Sequence, residues 1–282
     1  MWIILALLSA LLWAAASLVD KLAVNWGYRT LEVLPATFVA GFVVIAWKHQ
    51  HSPEVWRPEF IFTGAMLAFF SLLNAVALLM ALRCGEVSLV SIVAGSHCII
   101  TAITATLLLR ERLSLQHWVA ISMAMVGVYL VHGGLGSAAG GRQGGRDRRW
   151  FWLALLAAVG SSGETIGLKL ATQICPGGQL VLLWEYFIAS LVIFALALGM
   201  RVRLRLASSA FGVADGVLTG LGMITFGLAL AQGPAALCAT VATAAVLFRA
   251  LGGVLFFGDQ AGRAQWVGFC LLFCSFVLVR LR

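Results

Sequence analysis

Apolar residues run along this chain in blocks of roughly twenty, parted by short polar clusters, and within the blocks polarity does not alternate. A helix rising 1.5 Å per residue needs about 20 residues to cross about 30 Å of hydrocarbon. A barrel strand needs about ten, with alternating polarity. The pattern therefore predicts ten membrane-spanning helices, over residues 2–24, 31–47, 60–82, 87–109, 115–132, 150–172, 178–200, 207–230, 235–257 and 263–281. The expected fold class is an all-α polytopic membrane protein. Composition agrees: of 282 residues 62% are hydrophobic and 11% charged, against about 25% charged in a soluble domain. Mean hydropathy is +1.00. Met1–Trp26 lacks a basic start and a small-residue cleavage site, so it reads as a first span rather than a signal peptide.

The break between the fifth and sixth spans is Gly-rich and basic, GGLGSAAGGRQGGRDRR over Gly133–Arg149, and reads as a linker. It separates two halves, residues 1–132 and 150–282, that align without gaps at an offset of 148. Trp2 falls on Trp150, Lys21-Leu22-Ala23 on Lys169-Leu170-Ala171, Gly85 on Gly233, Glu111 on Asp259 and Trp118 on Trp266. Apolar matches alone would mean little in Leu/Ala-rich segments; these rarer residues in one register predict a true repeat. Five spans is an odd number, so the second copy enters from the opposite face. The expectation is two inverted five-helix repeats, an architecture of many secondary transporters that bind substrate where the copies meet.

Each half carries an acidic turn before its last helix, LLLRERLSLQHW at Leu107–Trp118 and LFFGDQAGRAQW at Leu255–Trp266. An A-L-x-x-G pattern precedes each, at Ala81–Val90 and Ala229–Cys238, and each half opens with a helix ending in a lysine, Lys21 or Lys169. In these features the chain resembles the drug/metabolite transporter superfamily, most closely its EamA-type branch. The second turn departs from the pattern at Gly258-Asp259-Gln260. The resemblance implies export of amino-acid-like, amine or drug-like compounds across a bacterial inner membrane, with both termini cytoplasmic. A charge count implies the reverse, ten Lys/Arg on the side away from the termini against six beside them.

Ionisable groups inside a bilayer cost at least ~2.5–3.5 kcal/mol on insertion scales, so each marks a candidate site. Glu164 and Glu185 lie at similar depth in the sixth and seventh spans, and Asp215 and Arg249 at similar depth in the eighth and ninth, where a structural or coupling ion pair is expected. His97 is mid-span and ordinarily titrates near neutral pH, which makes it a candidate proton-coupling group or a packing histidine. A central cavity is expected to hold a polar or cationic metabolite among Trp13, Asn74, His97, Glu164, Trp184, Glu185 and Tyr186, with rings for cation–π contact and carboxylates for charge. Glu111 and Asp259 are expected to cap helices or pair with arginine, and Asp20, Lys21 and Lys169 to snorkel to headgroups.

Gly212, Gly216 and Gly220 in one span, with Gly163 and Gly167 in another, predict close helix packing. No span is read as carrying a mid-helix proline, so an ion site on an unwound helix is not expected. Cys98, Cys238, Cys270 and Cys274 sit in apolar runs and read as buried small hydrophobes. No metal site and no cofactor are predicted, and the chain lacks G-x-x-x-x-G-K-[ST] for nucleotide drive. The expected partners are a small-molecule substrate, protons as a coupling ion and membrane lipids, without nucleic acid, in a monomer or homodimer. The rival readings are an integral-membrane lipid- or prenyl-modifying enzyme, which would need clustered ligands or a nucleophile–base pair, and a channel or assembly subunit.

Overall fold

The computed structural model describes residues 1–50, 56–84, 87–131, 149–174, 178–202, 205–257 and 262–280, and the regular elements among them are all helical. They are α1 (Trp2–Asn25), α2 (Thr30–His49), α3 (Pro58–Cys84), α4 (Val87–Gly95), α5 (His97–Leu108), α6 (Leu115–Val131), α7 (Arg149–Ile174), α8 (Val181–Gly199), α9 (Leu206–Gln232), α10 (Ala235–Ala242), α11 (Ala244–Phe257) and α12 (Arg263–Arg280). A 3₁₀ turn at Gly178–Leu180 leads into α8. Helix is the form that satisfies every backbone polar group within one segment, as hydrocarbon demands. Eight helical stretches are long and apolar enough to cross a membrane, counting Ala235–Phe256 across α10 and α11 as one, and Ile92–Leu108, across α4 and α5, and Leu115–Val131 are shorter apolar ones. Apart from Arg149, the expected linker lies outside the described residues.

The fourth and ninth expected spans are not continuous. The fourth breaks at Ser96 and the ninth at Thr243, one residue out of register across the 148-residue offset. Neither break involves proline. At each, a hydroxyl turns back onto a carbonyl three residues earlier: Ser96 Oγ donates to Val93 O at 2.6 Å and Thr243 Oγ1 to Thr240 O at 2.6 Å. The backbone follows with 3₁₀-type bonds, Ser96 N–H to Val93 O and Thr243 N–H to Thr240 O. Short Ser and Thr side chains thus give the carbonyls freed by the break a partner inside an apolar setting. The proline that does lie within a helix, Pro35 in α2, makes no break.

The chain forms two compact units, each drawing on both sequence halves: Met1–Phe69 with Gly167–Gln232, and Phe70–Ile166 with Gly233–Arg282. In the first, α1 buries Ala6, Ser9, Ala10 and Ala14, and this stripe packs on α9. Helices α2 and α9 run parallel in close contact. A Cβ at Gly212 would meet the Val33 carbonyl, one at Gly216 the Thr37 carbonyl, and one at Gly220 the Gly41 Cα at 3.1 Å. In lipid, where burial of apolar surface gains little, such close packing is what holds helices together. Helices α2 and α8, which occupy matching places in the two halves, pack antiparallel: Lys48 at the end of α2 donates to Gln179 just before α8 at 2.9 Å, and Phe38 and Gly41 lie against Tyr186.

In the second unit α6 and α12, also matching places, pack antiparallel. Gln116 at the start of α6 donates to the Leu278 carbonyl near the end of α12 at 2.7 Å, and Gln265 at the start of α12 donates to the Val131 carbonyl ending α6 at 3.0 Å. Between these bonds Gly127 and Gly268 bring the backbones together, and Leu272, Phe269, Ala124 and Val128 form the core. Helix α10 packs on α5, starting beside the turn that ends α5, so the fourth and ninth spans are antiparallel there as well.

Two cysteine expectations need correction. Cys98 and Cys238 are buried, but Cys270 and Cys274 are exposed on α12. A helix face turned to lipid is as apolar as one turned to protein, so hydrophobic neighbours do not mark a residue as internal.

Candidate functional site

The second unit gathers polar side chains on three neighbouring helices. Gly160 of α7 lies against α3 at Asn74, whose backbone nitrogen would be 2.8 Å from a Cβ at Gly160, and Gly163 receives the Phe70 ring. On another face of α7, buried Ser162 accepts a hydrogen bond from Thr101 of α5 at 3.1 Å. These two contacts fix α3, α5 and α7 to one another at the level of residues 160–162 of α7. Glu164 is one turn beyond Gly160 and shares its face, and it is half-buried. His97 is one turn before Thr101 on α5 and also half-buried, with Nδ1 3.3 Å from the Ala94 carbonyl at the helix break. Three expected site residues, Asn74, His97 and Glu164, therefore lie on these three joined helices, each within about one turn of a contact between them. Thr101 and Ser162 join them. The sequence signalled that pair only as hydroxyls inside apolar spans.

Glu111 organises the end of this group. Its Oε1 accepts from the Ala235 N–H at 2.7 Å and its Oε2 from the Ala236 N–H at 3.3 Å. Pro234 sits just ahead of α10, so the carboxylate takes the first two donors that the helix leaves open, where the helix dipole also favours negative charge. The capping expected of Glu111 is present, and it joins the turn of the first half to a helix of the second. Asp259 lies outside the described residues.

The first unit holds the remaining candidates, each packed in its own way. Trp13 of α1 is half-buried, with its indole over Gly222 and 5.1 Å from the Phe226 ring of α9. Trp184 lies in the first turn of α8, in edge contact with exposed Trp56 at 5.4 Å, as in an interfacial aromatic belt. Tyr186 is buried, its ring against Gly41 and Phe38 of α2. Glu185 is fully buried, and a Cβ at Gly64 of α3 would stand 3.1 Å from its backbone nitrogen. Asp215 is buried on α9 among the hydroxyls of Thr37 and Thr219. It belongs to the first unit and exposed Arg249 to the second.

Lys169 departs from the snorkelling expected of it. It is buried at 7% exposure and donates to the Leu230 carbonyl near the end of α9, where a cation meets the negative end of the helix dipole. Asp20 and Lys21 are half-buried near the end of α1. Among the described residues no three His, Cys, Asp or Glu side chains gather as metal ligands.

Comparison with known proteins adds two findings. Residues 1–133 match the EamA-like transporter family. A solved crystal structure aligns over 99% of this chain and 96% of its own, with a TM-score of 0.81 and 15% identity, a likeness that shows the fold alone. Among curated proteins none matches.

Proposed function

We infer that this chain, whose residues 1–133 match the EamA-like transporter family, is a secondary transporter of the drug/metabolite type that carries a small polar metabolite by alternating access. One observation carries the reading. Helices in matching places of the two halves pack antiparallel in two instances, α2 with α8 and α6 with α12, and the fourth and ninth spans also run antiparallel where α5 meets α10. Copies inserted in the same sense would place matching helices parallel, so this arrangement supports an inverted repeat, the architecture on which alternating access is commonly built. The breaks at Ser96 and Thr243 support it too, because they recur at matching depth in both halves.

The substrate site proposed here centres on Asn74, His97 and Glu164, with Thr101 and Ser162 as hydroxyl partners. Glu164 would supply charge for an amine or an amino-acid-like cation, and His97 would supply a group able to exchange a proton. Glu185, a buried carboxylate in a spanning helix, is proposed as a second functional acid on the cost of placing it there. Trp13 is proposed as a ring face. The direction proposed is export from a bacterial cytoplasm across the inner membrane, as the family resemblance implies.

Purified protein in liposomes tests this. Loading with amines, amino acids or sugars is expected to give saturable uptake and counterflow for one class. Glu164→Gln is expected to cut that flux about tenfold, the equivalent of about 1.4 kcal/mol of lost interaction. Flux without saturation or counterflow would indicate a pore, and wild-type flux in Glu164→Gln would remove the site.

A further inference from the structure

The first unit carries an apolar groove of about 400 Å³, walled by Val39 and Val43 of α2, Phe194 of α8, and Val213 and Val217 of α9. Val39, Val43, Phe194 and Val213 are exposed, and on spanning helices these apolar side chains form a surface suited to lipid. Pro35 and Ser209 line the groove close to the starts of α2 and α9, and those two helices run parallel. Both starts, and the end of α8, therefore lie at the same end of the groove.

That end is basic. Arg29 immediately precedes α2, Arg205 immediately precedes α9, and Arg201 follows α8; all three are exposed. Glu32, in the first turn of α2, leaves them in excess. The depth is that of a membrane interface, since Trp26 and Tyr28 both lean on Phe211 of α9, with ring centroids at 5.8 and 5.9 Å. Arg201 also occupies an unusual position. Its φ is +51°, and Val202 N–H bonds to Ala197 O while Arg201 N–H bonds to Leu198 O, a helix-ending turn in which glycine is the ordinary residue at that place. An arginine stands where glycine would relieve strain, an outlier that points to a use of its guanidinium.

We propose that this groove binds an anionic phospholipid, with an acyl chain lying along α2, α8 and α9 and the phosphate held by Arg201 and Arg205 with help from Arg29. Three guanidiniums above an apolar channel match the two parts of such a molecule. A neutral lipid would fill the channel and gain nothing from the charges. Each basic residue near a membrane surface adds to the preference for anionic lipid, so two direct contacts correspond to about tenfold selectivity or more.

The test is native mass spectrometry of the purified full chain, incubated with phosphatidylglycerol or phosphatidylcholine of identical acyl chains. Phosphatidylglycerol is expected to be retained at one molecule per chain with about tenfold preference. The pair Arg201→Gln/Arg205→Gln is expected to lose the preference, and Val213→Trp, which fills the channel, to lose retention of both lipids. Equal retention of the two lipids by the wild-type protein would overturn the proposal without need of any variant. So would an undiminished preference in the arginine pair. Inorganic phosphate that displaces phosphatidylglycerol at equal concentration would reassign the arginines to a free anion and overturn the lipid assignment.

Discussion

Gly216→Leu is expected to leave little folded protein in detergent. The side chain would enter where α9 touches α2, and its Cβ would meet the Thr37 carbonyl and, at 2.8 Å, the Ala40 Cβ. A flexible neighbour could rotate away, but a carbonyl moves only with its helix. Ordinary overpacking costs about 1–3 kcal/mol; here the loss is expected to exceed that range, because α2 and α9 must part along the whole row from Gly212 to Gly220. The comparison variant is Gly199→Leu at the end of α8, where nothing lies within 4 Å of a Cβ and the change is expected to stay within about 0.5 kcal/mol. Thermal unfolding of the two variants side by side, followed by size-exclusion profile, checks the contrast. Similar behaviour of both would mean that α2 and α9 are not in backbone contact.

Glu111→Ala is the second large effect. Ala235 and Ala236 are completely buried, so the two N–H groups that lose their carboxylate cannot turn to bulk water. An unsatisfied buried donor costs about 1–3 kcal/mol, which puts this variant well above the ~1 kcal/mol of an exposed helix cap. Glu111→Gln keeps one acceptor oxygen and is expected to recover about half of the loss while losing the charge. Unfolding midpoints for the three proteins give the order wild type, Gln, Ala. If Ala and Gln fell together at the wild-type value, the acid of the turn would have some task other than holding α10.

Much of the scaffold was legible in the sequence because bilayer thickness sets the length of an apolar run, and the spans were located on that basis. For Glu111 the sequence offers capping or pairing with arginine; that it caps α10, in the other half of the chain, rather than the helix after its own turn, only the fold supplies. The breaks at Ser96 and Thr243 were not legible. A serine or threonine hydroxyl bonds back to a carbonyl three or four residues earlier in intact helices too, as Ser17 and Thr165 do here, so the residue type alone does not announce a break. Nor was the outward aspect of Cys270 and Cys274 legible, since lipid and protein interior have the same hydropathy. The burial of Lys169 is not legible either, because proximity to a span end in sequence does not reveal that the carbonyl end of α9 lies within reach of its ammonium. In the candidate site, Asn74, His97 and Glu164 could be named from their polarity. That their helices pack together, through Gly160 and the Thr101–Ser162 bond, only the fold supplies.

The account depends on the two halves having opposite sense in the membrane, and thiol labelling in sealed, uniformly oriented vesicles tests that directly. In a background without other reactive cysteines, Gln50→Cys places a thiol just beyond α2 and Met200→Cys one just beyond α8, at the ends of helices in matching places. A membrane-impermeant reagent is expected to label one of them from outside, and the other only after the vesicles are opened. Labelling of both from the same side would mean that the halves share one orientation, and the transporter proposed here would lose its basis.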